Sequence, residues 1–587
     1  MIEWVQKRDG RIVPFNAEKI ADAIFAAAKA VGGEDRRQAE FLAGQVIHLL
    51  QQNSLTGHVP QVEEIQDLVE RTLIEHGHAR TAKAYILYRN QRTRIREAKS
   101  ELMDVVSEIF QEHGQDFGAS LTGLGKLQRV ALAASERYTL NNMLPREFSL
   151  AHQRAAIHID QLAHYANSPD SYALDASGPL QRGLRIGAVT LPPVRTLDEL
   201  FAGLRLLTTA LSTEVAGEVL IRDLDQSFEV LAPTLDWEPD EMQLQSALSG
   251  WLLELNALQG ISGDLGPRLG VSFGAATGPL GRMFSRAMLQ CYQQGIADAR
   301  TVRTPQLVYH LRQGHNLRAD DPGWELTRLA RETARRRGNP SFVWADDQSV
   351  YFPGGTRLPQ GGQGVVARAY LNIPRLVLEA DSLFDLWSIV DAAVSLVARQ
   401  LVHRYEVLQG LSAADLPFIY GELGGGEPLK GWLLLLVPVG ISEAMQAAVS
   451  RFGQRPELRE ASFLRLLEEI LEKWRSYYSL PLHPGLAPAA SVARRFYRAD
   501  QAAFPLAETI WPDLERYSFD LSDPDAQPAS GGQLRIVTEV GQPAPNQVIA
   551  LDYRQGASRE GEGDPNGQLP FQPELVREDG YLVHRRA

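Results

Sequence analysis

Apolar residues recur at helical spacing through the first part of the chain, behind a short polar turn. Ile20, Ile24 and Phe25 follow Asn16, whose side chain is of a type favoured at the N-cap of a helix. Three later segments, within residues 41–49, 62–73 and 82–89, show the same period. Asp9-Gly10 inside residues 3–13 is a strong hairpin signal. The pattern predicts a hairpin followed by four helices, forming a small domain over residues 1–97.

From residue 98 the pattern changes to long helical segments that alternate with short apolar runs bounded by Gly or Pro. Examples of such runs are Leu307–Tyr309, Ser341–Trp344 and Leu433–Val439. This alternation favours an α/β domain over residues 98–520. Residues 521–570 are rich in Gly, Pro, Gln, Asp and Ser, which predicts a linker with one hairpin formed by residues 534–540 and 547–553. Residues 571–587 are predicted to form a separate C-terminal loop.

Composition and charge narrow the class of protein. The chain has 587 residues, of which 44% are hydrophobic and 22% charged, as in ordinary globular proteins. A net charge of −13 disfavours binding to nucleic acid or to an anionic membrane. The longest apolar run, Trp432–Ile441, is too short to span a bilayer, and the first residues lack the apolar core of a secretion signal. We therefore expect a cytoplasmic protein with no membrane and no nucleic-acid partner.

The chain contains a single cysteine, Cys291. It cannot form an intrachain disulfide, a four-cysteine zinc site or an iron–sulfur site from this chain alone, nor support a redox cycle with two thiols of one polypeptide. Phe284 and Met288 precede Cys291 at helical spacing, so the pattern predicts a buried cysteine on a helix.

Three histidines, His152, His158 and His164, look like a cluster, but they are spaced six residues apart. That spacing does not place them on one face of a helix, as metal ligands at i and i+4 would be. We therefore expect no metal site here.

Cations surround the predicted N-terminal turn. Lys7, Arg8 and Arg11 flank Asp9-Gly10, and Lys19 lies in the first turn of the helix that follows. Cations on a rigid turn beside a helix N-terminus can hold a polyphosphate, because side-chain charges and backbone N–H groups point the same way. A solvated charged hairpin is the alternative interpretation.

The order of segments in this region resembles the ATP-cone domain. The similarity comprises residues 5–11, Phe15 with Lys19 and Ile20, EEIQDLVE at 63–70 and AKAYILYRNQR at 82–92. ATP cones bind ATP or dATP and report it to an attached or partner enzyme, usually a ribonucleotide reductase. The resemblance implies that nucleotide contacts come from Lys7, Arg8, Gly10 and Lys19, with Arg89 as a further candidate.

The rest of the chain resembles the large subunit of the anaerobic (class III, glycyl-radical) ribonucleoside-triphosphate reductases. The similar stretches are FSLAHQRAAIHIDQLAHY (148–165), TPQLVYHLRQGHNL (304–317), LARETARRRGNPSF (329–342), PGGTR (353–357), APAASVARRFYRAD (487–500) and the terminal RxxGYxV (577–583). The resemblance implies a ten-stranded α/β barrel with the terminal glycine loop at its centre. It also implies a homodimer, nucleoside triphosphates as ligands and association with another reductase subunit.

The chemistry of that family depends on thiols. The resemblance places Gly580 at the position of the family's radical glycine. In that family the radical moves from the glycine to a cysteine that attacks the ribose, and a second cysteine on the opposite face helps reduce it. This chain has Thr356 and Ser171 at those two positions. A hydroxyl cannot replace the radical thiol, because its O–H bond is much stronger than S–H. Glu578 and Asp579, before Gly580, would be costly in a dry channel.

The family's four zinc cysteines are also absent from this sequence, so we expect neither zinc nor an iron–sulfur cluster in it. The favoured hypothesis is an ATP- or dATP-binding homologue that is non-catalytic or regulatory, with Gly580 as a former radical position. The alternative is an active reductase that makes deoxyribonucleotides with Cys291 or with the thiols of a partner.

Overall fold

The computed structural model divides the chain into two compact units, Met1–Gln111 (unit 1) and Glu112–Ala587 (unit 2). The described residues are 4–6, 12–53, 59–111, 123–262, 268–296, 302–344, 349–423, 429–455, 457–485, 487, 490–511, 514, 516–518, 535–538, 547–550, 575–578 and 581–584. None of the helices in these ranges has both the length and the apolar character needed to cross a bilayer.

Unit 1 has the predicted hairpin and four helices. Strands β1 (Trp4–Gln6) and β2 (Ile12–Pro14) pair antiparallel. The helices are α1 (Glu18–Lys29), α2 (Arg36–Asn53), α3 (Val62–Glu75) and α4 (Ala79–Gln111). The predicted capping residue Asn16 accepts the N–H of Glu18 on its Oδ1 at 2.9 Å. Ile24, Val46 and Leu73, each at most 1% exposed, belong to the core of this unit.

Unit 2 contains fourteen helices and seventeen strands among the described residues. Its helices are α5 (Gly123–Tyr138), α6 (Arg146–Gln153), α7 (Ser177–Arg182), α8 (Leu197–Ser212), α9 (Leu224–Leu231), α10 (Glu241–Ser262), α11 (Pro279–Gln294), α12 (Trp324–Arg337), α13 (Ile373–Glu379), α14 (Leu383–Gln409), α15 (Ile441–Phe452), α16 (Glu460–Tyr478), α17 (Ala490–Ala503) and α18 (Pro505–Ile510). Its strands are β3 (Ile157–Ile159), β4 (Ser171–Leu174), β5 (Leu184–Ile186), β6 (Val189–Leu191), β7 (Glu218–Ile221), β8 (Arg268–Phe273), β9 (Gln306–Leu311), β10 (Ser341–Trp344), β11 (Val350–Tyr351), β12 (Arg357–Leu358), β13 (Gly364–Asn372), β14 (Leu433–Val439), β15 (Leu482–Pro484), β16 (Arg535–Thr538), β17 (Gln547–Ala550), β18 (Leu575–Glu578) and β19 (Tyr581–His584).

Local sequence signals determine where two of these helices begin. Thr196 precedes α8 and accepts the N–H of Glu199, whose carboxylate in turn accepts the N–H of Thr196, so that a capping box starts the helix. Ser382 caps α14 by accepting the N–H of Asp385 at 3.1 Å. The three apolar runs singled out in the sequence lie in β9, β10 and β14, which confirms those strand predictions.

One large sheet organises unit 2. Its strand order is β15-β14-β13-β4-β7-β8-β9-β10-β17-β16, and β3 also pairs with β13. The run from β4 to β10 is parallel, as is the run from β13 to β15, whereas β13 meets β4 antiparallel. Ten strands thus follow one another along the sheet, and the predicted mixed α/β architecture is confirmed. The antiparallel pair β16 and β17 confirms the hairpin predicted within the linker segment.

Alternate residues of these strands face opposite sides of the sheet. Ala173 (β4), Leu220 (β7) and Val365 (β13) pack against Val350, Phe352 and Leu358. The last three belong to the β11–β12 hairpin, which connects β10 to β13. We call the sheet face that this hairpin covers the inner face. The ring of Pro353 lies against Gly270 of β8 so closely that a Cβ at Gly270 would lie 2.7 Å from the Pro353 Cγ.

The opposite side, which we call the helix face, packs against the surrounding helices. Val219 and Ile221 of β7 and Phe273 of β8 belong to the main core together with residues of α8 to α11. Successive side chains of a strand point to opposite faces of the sheet. Neighbouring residues of one strand therefore pack against the helices on one side and the β11–β12 hairpin on the other.

Candidate functional site

Ser171, predicted to replace the second cysteine, lies at the start of β4 and faces the inner side. Its hydroxyl donates to Asp170 Oδ1 at 2.5 Å and accepts from Arg368 Nη2 of β13 at 3.0 Å. The side chain is fully buried. The hydroxyl of Ser171 is therefore already engaged as both donor and acceptor.

Arg368 joins Ser171 to two buried carboxylates. Its Nη1 lies 3.4 Å from Asp170 Oδ1, and its Nη2 lies 3.2 Å from Glu218 Oε2 of β7. Arg268 at the start of β8 contacts Glu218 Oε1 at 2.9 Å from a half-exposed position. Asp170, Ser171, Glu218 and Arg368 form what we call the inner-face network.

Burial controls the protonation chemistry of this network. Burial raises the pKa of Asp170, and the charge of Arg368 opposes that rise. Burial alone would lower the pKa of Arg368, but Asp170 and Glu218 more than offset this, so the pKa of the guanidinium is raised. The network therefore holds a permanent cation between two acids.

Sequence reasoning missed Asp170, Glu218 and Arg368. A signal was present, because Arg368 is a lone charge within the apolar strand GVVARAYLN and Glu218 opens the apolar run EVLI. A charge on a buried strand requires a partner, which the spacing along the chain does not identify.

Thr356, predicted to replace the radical cysteine, lies in the β11–β12 hairpin and is 1% exposed. Its carbonyl accepts the N–H of Phe352 at 2.9 Å, and Gly355 donates its N–H to the Phe352 carbonyl at 2.9 Å. These bonds fix the turn of the hairpin. The covering hairpin and β4 therefore place Thr356 and Ser171 on the same side of the sheet.

Cys291 is buried on α11, as predicted. Its Sγ lies 3.3 Å from Ser249 Oγ and 3.6 Å from the Gln245 carbonyl, both on α10. Burial raises the pKa of the thiol, so the reactive thiolate is disfavoured. Cys291 belongs to the core of the helix face, whereas the hairpin with Thr356 covers the inner face.

The candidate nucleotide contacts of unit 1 are only partly described. Lys7, Arg8 and Gly10 lie outside the described residues. Lys19 is exposed in the first turn of α1. Arg89 donates to Asp67 at 2.6 Å and to Glu70 at 2.8 Å, both on α3, so its guanidinium bridges α4 to α3.

Gly580 also lies outside the described residues. The strands on either side of it, β18 and β19, pair antiparallel, with Glu578 opposite Tyr581.

The surroundings of the three histidines favour the neutral imidazole. His152 accepts the N–H of Ile159 on Nδ1 at 3.1 Å, and His158 Nδ1 lies 3.4 Å from Arg495 Nη1. Burial, reinforced by the charge of Arg495, lowers the pKa of both His152 and His158 to about 3. Burial and Arg404 lower the pKa of His164. Within the described ranges no three His, Cys, Asp or Glu side chains are grouped so as to hold a metal ion.

The four-thiolate zinc site that the resemblance implies does not fit this chain. A site of that kind needs four sulfur ligands, and the sequence supplies one cysteine, which is directed toward α10.

Comparisons with known proteins agree with the architecture. The family model described as anaerobic ribonucleoside-triphosphate reductase matches residues 120–518, more than half of the chain, and the ATP cone domain model matches residues 3–94. The anaerobic ribonucleoside-triphosphate reductase of Salmonella typhimurium strain LT2 is 26% identical over 575 residues, covering 86% of this chain and 79% of that protein. Its counterpart in Escherichia coli strain K12 is 25% identical over 573 residues, with coverage of 86% and 79%.

A solved structure shows the same fold. The anaerobic ribonucleotide reductase of Thermotoga maritima, in complex with dATP and CTP, superposes with a TM-score of 0.54 at 14% identity, over 72% of this chain and 81% of that one. The family model, the relatives and the fold agree, and the chain belongs to the anaerobic ribonucleoside-triphosphate reductase family, with an ATP cone domain at its N-terminal side.

Proposed function

We propose that this protein is a nucleotide-responsive member of its family that does not itself reduce ribonucleotides. It would bind ATP or dATP through the cone and act on another reductase subunit or on a second copy of itself. The observation that carries the proposal is the position of the single thiol. Cys291 belongs to the core on the helix face, whereas Ser171 and Thr356, which carry hydroxyls, are the corresponding residues on the inner side.

The chemistry supports this assignment. Abstraction of a ribose hydrogen by a thiyl radical requires the sulfur at near-contact with the sugar. Cys291 contacts Ser249 and Gln245 in the helix layer, and the sheet separates that layer from the inner face. Ser171 is hydrogen-bonded to Asp170 and Arg368, so the hydroxyl at this position has a structural role.

A second candidate, an active ribonucleoside-triphosphate reductase, is favoured by the long matches to enzymes of that name. Such activity would require thiols from another polypeptide, because Cys291 belongs to the helix-face core.

Anaerobic activation decides between the two. We expect the chain, incubated with an iron–sulfur activating enzyme and nucleoside triphosphates, to form no deoxyribonucleotide and no glycyl doublet in EPR spectra. The Escherichia coli relative, treated in parallel, is the positive control. A doublet that disappears in Gly580→Ala, together with product formation, would establish the active reductase instead.

The nucleotide response is tested by thermal unfolding with ATP or dATP. Ligand at about 100 times its Kd stabilises the binding state by about 2.7 kcal/mol, which raises the melting temperature of the unit that binds it. Lys19→Ala should reduce this shift, whereas Lys29→Ala, an exposed change at the other end of α1, should leave it unchanged. If neither nucleotide changes the melting temperature or the oligomeric state, the regulatory assignment is wrong.

A further inference from the structure

We propose that unit 2 carries a binding site for a phosphate group at the carboxyl ends of β7, β8 and β9. His310 of β9 and Arg312, which follows β9, are the donors to the phosphate oxygens, and Asp223, which follows β7, orients the imidazole. The inference goes beyond the proposed function and does not depend on it, because that function places the nucleotide in unit 1.

His310 is a buried polar group that lacks a partner. It lies on β9 two residues after Val308, which packs against Tyr351 of the β11–β12 hairpin, so its side chain belongs to the inner face. It is 1% exposed, and neither ring nitrogen forms a hydrogen bond within the part of the chain that the structure describes. Buried polar groups are normally hydrogen-bonded, so an imidazole in this state indicates a partner that is not part of the chain.

Asp223 determines which ring nitrogen of His310 is left for that partner. Its Oδ1 lies 3.3 Å from His310 Nδ1. The backbone of Asp223 is left-handed (φ 45°, ψ 50°), and its N–H donates to Ser272 Oγ of β8 at 2.8 Å, which holds the residue beside β8. With a carboxylate next to Nδ1, Nε2 is the nitrogen that remains for a ligand.

Arg312 supplies a second donor at the end of β9. It lies two positions after His310, and the strand period places side chains at that spacing on one face. Its backbone N–H donates to Asn316 Oδ1 at 2.7 Å, which fixes the start of the loop. Its Nε is buried and forms no hydrogen bond among the described residues. Guanidinium and imidazole N–H groups are strong donors to phosphate oxygens.

The charge at this edge of the sheet favours an anion, although Asp223 is acidic. Burial opposes ionisation of the Asp223 carboxyl, but its neighbours more than offset burial, so that its pKa is lowered. These neighbours are His310, Arg312 and Arg222. Arg222 also faces Asp175 at 3.7 Å, at the end of β4. Because α9 follows β7 and α11 follows β8, the partial positive charges of both helix N-termini lie at the same edge.

The position of the site agrees with the architecture of unit 2. Ligands of parallel α/β sheets bind outside the carboxyl ends of the strands, which is where β7, β8 and β9 bring these residues together. The Asp223 side chain is 25% exposed, and Arg312 is half-buried. Since His310 itself is buried, a phosphate group would approach it past these two side chains.

Phosphate titration tests the site. The wild-type chain, His310→Gln and Arg312→Gln are titrated by calorimetry with inorganic phosphate and with ribose 5-phosphate, which distinguish a free ion from the phosphate of a larger molecule. We expect wild type to bind at least one of these probes, and each variant to bind it at least tenfold more weakly. Arg318→Gln, an exposed change on the loop after β9, is the matched control and should bind like wild type. Two variants are used because loss of the buried imidazole could disturb the fold, which far-UV circular dichroism would reveal.

The imidazole signal of His310 shows whether the phosphate reaches this residue. In a chain labelled with carbon-13 at histidine Cε1, the NMR signal that is missing from His310→Gln belongs to His310, and we expect phosphate to shift it. Three results would overturn the site: no binding of either probe by wild type at millimolar concentration, binding that both folded variants retain, or a His310 signal that does not move. Each of these results concerns unit 2 and leaves the response of unit 1 to ATP or dATP unchanged.

Discussion

Replacing Arg368 by leucine is expected to destabilise unit 2 by about 3–5 kcal/mol, the usual cost of leaving a buried ionic partner uncompensated. Arg368 is 2% exposed and is the guanidinium that contacts both Asp170 and Glu218. Its removal would leave Asp170 without the guanidinium that contacts it, and Glu218 with Arg268 alone. The free energy of unfolding is measured by guanidinium denaturation followed through tryptophan fluorescence, because every tryptophan except Trp4 lies in unit 2.

Arg268 supplies a matched control for this substitution. It contacts the same carboxylate, that of Glu218, but its side chain is 53% exposed. The Arg268 guanidinium is exposed to solvent and Glu218 keeps its contact with Arg368, so Arg268→Leu should change the free energy of unfolding by about 0–1 kcal/mol. Adding Asp170→Asn and Glu218→Gln to Arg368→Leu should recover part of the loss, because the unpaired charges are then removed. Equal effects of the two arginine substitutions would contradict the inner-face network.

The free energy of unfolding is expected to fall steeply in acid, because His152 and His158 resist protonation in the folded chain. The pKa of His152 is about 3 when folded, against an ordinary value of 6.5. Between those two values the unfolded chain binds a proton that the folded chain excludes, so stability is lost as the pH falls from 6.5 toward 3. The loss from one such group approaches 1.4 kcal/mol per pH unit, roughly the free energy of a one-unit pKa difference.

Asparagine at position 152 isolates this effect. Its Oδ1 can take the place of Nδ1 and accept the N–H of Ile159, yet it does not titrate. We expect His152→Asn to flatten the dependence of stability on pH between 6.5 and 4, with His158 supplying the remaining slope. His48→Asn, an exposed position on α2, is the control and should leave the slope unchanged. A slope in His152→Asn equal to that of wild type would show that His152 is not the group that titrates.

Much of the secondary structure could be predicted because its causes are local. The 3.6-residue period marked the helices of unit 1, and Asn16 marked the start of α1 through a bond to a residue two positions away. Bounded apolar runs marked β9, β10 and β14. A helix or a short strand depends on neighbours within a few residues, so its signal is present in the linear sequence.

The site was only partly predictable from the sequence. The positions Ser171 and Thr356 followed from motif resemblance, but the partners of Ser171 did not. Arg368 lies 197 residues from Ser171 along the chain, and Glu218 lies 150 residues from Arg368. They meet because β4 has β13 on one side and β7 on the other. Arg89 was predicted as a nucleotide contact, and the structure shows it bonded to Asp67 and Glu70.

The sequence by itself determined that this chain has one cysteine thiol, because a count of cysteines does not depend on the fold. Only the tertiary structure decided that this thiol packs in the core on the helix face and that the inner-face network and the β11–β12 hairpin lie on the other side of the sheet. The physical reason is that a sheet has two faces separated by a single backbone layer. Which residues share a face is set by strand order and register, which are fixed by contacts between segments far apart in the chain.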